Sequence, residues 1–350
     1  MDPTILKLLI ALVPVVACLS VFVAVDVFKL TPLPEIGALL IGGGFMAAAA
    51  YYANGGVLDE FPVRFTSYTQ YVAPPVEEAI KGLLVIGLFA FNRIGYLIDA
   101  AIAGFAIGAG FSLVENVFYI NEFGGADMGV WLVRGFGTAI MHGGATAIFA
   151  VVAHVLYAPR LRIAADRFRF NLLLFLPGLA GAIVLHGAYN QFTGDPLLAM
   201  AIVVVAVPLA IFAIFSAGEK YAHRWLAEGH GAHEKLLQDI ESGAFAATPD
   251  GKAVQALADR LGEVSGADLF DYIHTHTELV VRAETTLLAL EEHEAVAYET
   301  KVRDRFRHLH GLEKRLGRAP VLAARQHLRF TRNDLWEMHE LEERSPGRRR

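Results

Sequence analysis

Cysteine is nearly absent from this chain of 350 residues: Cys18 is the only one. An intramolecular disulfide is therefore excluded, and so are zinc sites built from two or more thiolates. Charge is sparse as well. Asp, Glu, Lys and Arg make up 19% of the residues, where soluble globular chains carry about 25%. Nor does one sign dominate. The 30 basic and 36 acidic residues leave a formal net charge of −6, so no uniform basic field invites nucleic acid. The metalloprotease signature His-Glu-x-x-His does not occur. No repeat with a period of about 20–50 residues is evident. Lys7 is the only early positive charge, which argues against a signal peptide. The run Val15-Val16-Ala17-Cys18 reads as small residues inside a helix rather than a lipoprotein cleavage box.

What the chain does have is apolar length. Hydrophobic residues are 55% of the total and are concentrated between residue 4 and about residue 217. A helix needs about 20 predominantly apolar residues to cross the hydrocarbon core. Stretches at about 5–25, 35–53, 72–91, 97–120, 131–157, 170–192 and 196–217 qualify. The predicted fold is all-α. It is a polytopic membrane helix bundle of about seven spans (1–217), followed by a soluble helical domain (218–350). Lys and Arg in short loops set orientation. Arg160, Arg162, Arg167 and Arg169 lie in one loop, and Lys220 and Arg224 follow the last span. Both regions are placed in the cytoplasm, which also puts Lys29 and Arg93 inside. The loop with Glu122 and Asp127 is then outside, as is the N-terminus, and the C-terminus is inside.

Residues 268–290 repeat apolar side chains at helical spacing: Leu269, Ile273, Leu279, Val280 and Leu287. Thr248-Pro249-Asp250-Gly251 reads as a turn, and Gly311 and Gly317-Arg318-Ala319-Pro320 as further breaks. The expectation is a cytoplasmic bundle with a disordered basic tail at 344–350. Its histidines, including His274, His276, His308 and His310, read as solvated faces. The domain itself reads as regulatory, or as a surface for a homo-oligomer or a protein partner.

Ionisable groups inside spans cost about 3 kcal/mol each on insertion scales, so those present need a reason. Glu77, Glu78 and Lys81 open the third span, after Pro74-Pro75. Proline is tolerated there because first-turn N–H groups lack helical partners. Glu77 and Lys81 are four apart and share a face. A lysine beside one carboxylate and burial of the other would give the pair unlike protonation, which acid–base chemistry uses. Glu115 and Asn116 lie in the fourth span, His142 in the fifth, and His186 and Asn190 in the sixth. In the predicted orientation, all of these fall in the outer part of the membrane. His154 falls near the cytoplasmic end and is left out. Gly104, Gly108 and Gly42-Gly43-Gly44 read as helix-packing surfaces that bring such side chains together.

Four motifs in order carry a resemblance: Glu77-Glu78-x-x-Lys81, Phe111-x-x-x-Glu115-Asn116, His142, and His186-x-x-x-Asn190. They resemble the PrsW family of intramembrane proteases, related to the CAAX-type and bacteriocin-processing enzymes. Glu115 stands where the CAAX branch usually has histidine, which favours PrsW. The resemblance covers about residues 35–217 and says nothing of the C-terminal domain. It implies proteolysis of a membrane-anchored protein near the outer face, in the PrsW case an anti-sigma factor.

Two chemistries fit these residues. In one, with no cofactor required, Glu77 or Glu78 activates water, His186 and Asn190 stabilise the oxyanion, and Glu115 and His142 position the water. In the other, Glu115, His142 and His186 bind Zn2+ or another divalent ion and Glu78 is the base. The metal-free version is slightly favoured, with Lys81 and Asn116 supporting. A proton- or metal-coupled transporter using the same charges is the competing function, although few polar residues continue through the inner halves. A non-catalytic scaffold is the third.

Overall fold

The computed structural model describes residues 3–26, 31–61, 63–161, 169–192, 194–291, 300–328 and 330–345. Among them are fourteen α-helices and no strand. They divide into two compact units. One comprises Met1–Tyr157 and Phe170–Glu219, the other Ala158–Arg169 and Lys220–Arg350.

The first unit contains α1 (Pro3–Val25), α2 (Leu33–Glu60), α3 (Phe65–Tyr71), α4 (Ala73–Ala90) and α5 (Leu97–Phe123). After them come α6 (Met128–Leu132), α7 (Ala139–Leu161), α8 (Leu176–Gln191) and the start of α9 (Pro196–Glu241). Six helical stretches are long and apolar enough to cross a membrane: Thr4–Val25, Leu33–Glu60, Leu97–Phe123, Met128–Arg160, Leu172–Gln191 and Pro196–Gly218. They coincide with six of the seven expected spans. The remaining one, α4, is an 18-residue helix whose Glu77, Glu78 and Lys81 are all buried. The protein is a multi-pass membrane protein. Leu33, Ile41, Phe45, Leu83, Val184 and Leu209 point outward, as lipid-facing side chains do.

At the centre lies α5, buried on every face from Ile98 to Ser112. A helix apolar all round belongs in a core. Small residues let its neighbours close in. A Cβ on Gly104 would stand 2.6 Å from the Thr146 carbonyl oxygen, and one on Gly108 would collide with the carbonyl of His142. Contacts of α2 with α5, α1 with α5, α2 with α4 and α4 with α8 complete the packing. Between α6 and α7 the helix loosens into a π-helical turn, Val133–Thr138, at the Arg134-Gly135 pair.

The second unit contains the rest of α9, then α10 (Pro249–Leu261), α11 (Glu263–Glu291), α12 (Thr300–Leu316), α13 (Arg318–Leu328) and α14 (Arg332–Arg344). Leu269, Ile273, Leu279, Val280 and Leu287 are buried, as their spacing predicts. Four local readings change. His276, expected on a solvated face, is fully buried and stacked on Phe330. The Thr248-Pro249-Asp250-Gly251 signal starts a helix: Thr248 caps α10 by accepting the Gly251 N–H at 2.9 Å, and Pro249 is its first residue. Gly311 lies inside α12, and the break comes at Gly317, whose φ of 76° terminates that helix. Arg344 ends α14 and bonds Glu340, so it is not part of a tail. The expected disorder at 346–350 lies outside the described residues, as do Lys29, Arg162 and Arg167.

Candidate active site

The prolines at the start of α4 set its first turn, and the acidic pair follows directly. Its two carboxylates face different partners. Glu78 is fully buried, and its Oε1 accepts from Lys81 Nζ and sits 2.8 Å from His186 Nδ1. Lys81, three residues on and equally buried, also reaches His142 Nδ1 at 3.1 Å, with its ammonium 4.8 Å from the centre of the Phe111 ring. The lysine thus pairs with Glu78 rather than with Glu77, its neighbour four residues back. Glu77 instead receives the Asn54 amide at 3.1 Å, and its Oε2 lies 3.9 Å from His186 Nε2.

On the other side of His142, Nε2 lies 3.1 Å from Glu115 Oε2. Glu115 also pairs with Arg134 at 3.2 Å. The π-helical turn places Arg134 there, and its Nε donates to Asn116 Oδ1 at 2.9 Å while its guanidinium lies 3.7 Å from the Tyr119 ring centre. Asn116 in turn donates to the Ala11 carbonyl at 2.9 Å, tying α1 to α5. The rings of His142 and His186 meet edge to face at 4.7 Å. One connected network therefore joins Glu77, Glu78, Lys81, Glu115, His142 and His186 from α4, α5, α7 and α8. Asn190 stands apart from it: its Nδ2 donates to the Thr69 carbonyl at 2.9 Å, a bond that docks α8 on α3. His154 is buried beside Phe89, away from the network.

Three contributors escaped the sequence reading. Arg134 lies inside the expected fifth span, 131–157, and was given no role there. Asn54 and Tyr68, whose hydroxyl bonds Asn54 Oδ1 at 2.7 Å, position Glu77. The available signal was Asn54 itself, a polar residue just beyond the expected end of the apolar run 35–53.

Protonation of the histidines follows from their partners. Lys81 is a donor only, so His142 Nδ1 accepts and Nε2 carries the proton given to Glu115. His186 turns Nδ1 to Glu78 and Nε2 toward Glu77, and in the neutral ring with Nδ1 as donor the Nε2 lone pair is open to a ligand. A histidine whose other nitrogen is held by a carboxylate is the usual support of a metal ligand. Glu77, His142 and His186 offer ligand atoms within 4.8 Å of one another. This group has Glu77 where the sequence reading had Glu115. Two imidazoles and one carboxylate suit a catalytic divalent ion, zinc above all.

Fold and site together define a class: a multi-pass membrane protein with a buried acid–histidine cluster. A sequence profile described as PrsW family intramembrane metalloprotease matches residues 32–215. The chain belongs to the PrsW family and is an intramembrane peptidase, acting on membrane-embedded protein in a lipid environment. Neither a curated protein nor a solved structure matches it.

Proposed function

We propose that the network joining Glu77, Glu78, Lys81, Glu115, His142 and His186 is the catalytic centre. It hydrolyses a peptide bond of a membrane-anchored protein near the extracytoplasmic face. The convergence of four helices on these side chains carries the proposal. An anti-sigma factor whose cleavage starts a signalling cascade is the substrate class implied by the family. The arginines of the loop at 158–169, which the positive-inside rule assigns to the cytoplasm, support the orientation, with α4 as a further, short membrane helix. Residues 1–217 form the protease domain, and 218–350 a cytoplasmic domain offering a surface to a protein partner or a second copy.

Glu77, His142 and His186 are the residues that would hold a divalent ion. When bound there, it would supply Lewis-acid polarisation of the scissile carbonyl and a lowered pKa for water. Glu78 orients His186 through Nδ1, and Lys81 offsets the charge of Glu78. Glu115, whose side chain is 21% exposed against none for Glu78, is the accessible base that takes the proton from water. Arg134 beside it stabilises negative charge developing on the substrate.

One observation favours a metal-free variant. Both nitrogens of His142 are engaged, by Lys81 and by Glu115, so an ion would have to displace one of them. In that variant Glu77 is the base and His186 polarises the carbonyl. The test is cleavage of a membrane-anchored reporter by reconstituted protein before and after chelation. Loss on chelation and recovery with zinc supports the metal reading. Full activity after chelation, with loss in Glu77→Gln, supports the variant. Full activity in both Glu77→Gln and His186→Gln defeats the site altogether.

A further inference from the structure

We propose that the C-terminal unit carries a divalent-cation site of its own, of the zinc class, formed by His230, His233, Glu284 and Asp334. His230 and His233 are three apart on α9, so both imidazoles leave the same face. Glu284 comes from α11 and Asp334 from the first turn of α14. His233 Nδ1 lies 2.7 Å from Glu284 Oε1, and its Nε2 lies 3.8 Å from Asp334 Oδ2. His230 Nδ1 lies 3.6 Å from Glu284 Oε2. His233, Glu284 and Asp334 offer ligand atoms within 4.8 Å of one another.

Charge is the first argument. Glu284 is 1% exposed and Asp334 2% exposed. Among the described residues, no lysine or arginine reaches either carboxylate within 4 Å. Their ionic partners are the histidines alone. Buried carboxylates are paired with cations or coordinate metals. Asp334 has some relief at the head of its helix, where it accepts the Thr331 N–H at 2.7 Å. Glu284 has no such help.

Unused capacity is the second argument. Glu284 Oε2 and His230 Nδ1 are both buried without a hydrogen-bond partner, and they face each other across 3.6 Å. That is too long for a hydrogen bond. Zinc bonds of about 2.0–2.1 Å put tetrahedral ligand atoms about 3.3 Å apart, close to this separation and to that between His233 and Asp334. An ion takes one ring nitrogen of His233, so the ring must turn out of its Nδ1 contact with Glu284 for both carboxylates to reach the same ion. The donors also select the ion. Two imidazoles beside two carboxylates suit zinc, whereas calcium and magnesium take oxygen ligands. Phe330, 5.4 Å from the His233 ring and part of the unit's apolar core, helps to screen the site from water. The ion would clamp α9 to α11 and α14. Since α9 begins as the last apolar span, the clamp acts on a helix that both units share.

The test uses the full chain in detergent, stripped with chelator and titrated with Zn2+ and then Co2+. A His186→Gln background removes a key ligand of the membrane centre and isolates the C-terminal site. In that background, one equivalent of zinc binds and Co2+ develops visible d–d absorption. Adding Glu284→Gln abolishes both, and adding His230→Gln weakens binding at least tenfold. Zinc also slows amide exchange in α14 in the His186→Gln protein, a readout that needs no change in the C-terminal unit. Unchanged stoichiometry in the Glu284→Gln and His230→Gln proteins, or no effect of zinc on α14 exchange, overturns the proposal. The four side chains would then be a hydrogen-bond network in which a protonated His233 carries the positive charge.

Discussion

Each unit buries a glutamate against the Nδ1 of a histidine, at 2.8 Å for Glu78 with His186 and 2.7 Å for Glu284 with His233. The surroundings differ. In the membrane unit, Lys81 and Arg134 are built into the network and meet two of its three carboxylates. In the C-terminal unit, no fixed cation reaches Glu284 or Asp334 among the described residues. The membrane network supplies its own countercharge, and a low-dielectric setting demands that. The C-terminal cluster relies on a proton or an ion from outside. The difference lies in where the countercharge comes from: fixed side chains in the membrane unit, histidines alone in the C-terminal one.

The sharpest way to break the comparison is to strike the membrane network. His186→Ala should lower reporter cleavage by about 100-fold or more, the range of a positioned acid–base group. Retained turnover would make that network as dispensable as a structural one. Next comes Gly108→Val, which pushes side-chain atoms into the backbone at His142. Overpacking of this kind costs about 1–3 kcal/mol, visible as a lower thermal midpoint, together with loss of cleavage. Arg134→Ala should follow, with cleavage down by about 10–100-fold, the cost of losing an orienting partner. Measuring kcat and KM separately checks that the loss falls on kcat.

The C-terminal unit should answer to pH instead. Burial holds His276, stacked on Phe330, down to about 3, with Arg325 and His233 pushing the same way. The unfolded chain titrates near 6.5, so between these values it binds more protons than the folded one. Stability is therefore fully present above about 6.5 and falls as the medium is acidified toward 3. Amide exchange in α11 should speed up on acidification beyond its intrinsic chemistry, and His276→Leu should blunt that response. The smallest effect belongs to Arg315→Ala. Asp268 is held below the usual carboxylate range by its hydrogen bonds to Arg315, but the pair is exposed. Such pairs contribute little, and no shift in thermal midpoint is expected.

Much of this was legible without coordinates. Apolar runs of spanning length define the membrane helices because hydrocarbon permits little else. Ionisable residues within them stand out because they are costly there. Motif order then pointed to the family. In the C-terminal unit, helical periodicity found the core of α11. Its histidines were less legible: spacing says that His230 and His233 share a face, but not that a glutamate 51 residues from His233 lies under it.

Sequence alone determined the helical class, six of the spans and the inventory of charged groups, since these depend on local composition and on the period of a helix. Tertiary structure decided the pairings. Lys81 could face either glutamate by spacing, and packing gave it Glu78. The π-helical turn delivered Arg134 to Glu115, and Asn190 went to a backbone carbonyl instead of the centre. A face of a helix is fixed by residues three or four apart, but the face it meets is fixed by which helices approach closely. Here the small residues of α5 allow that approach.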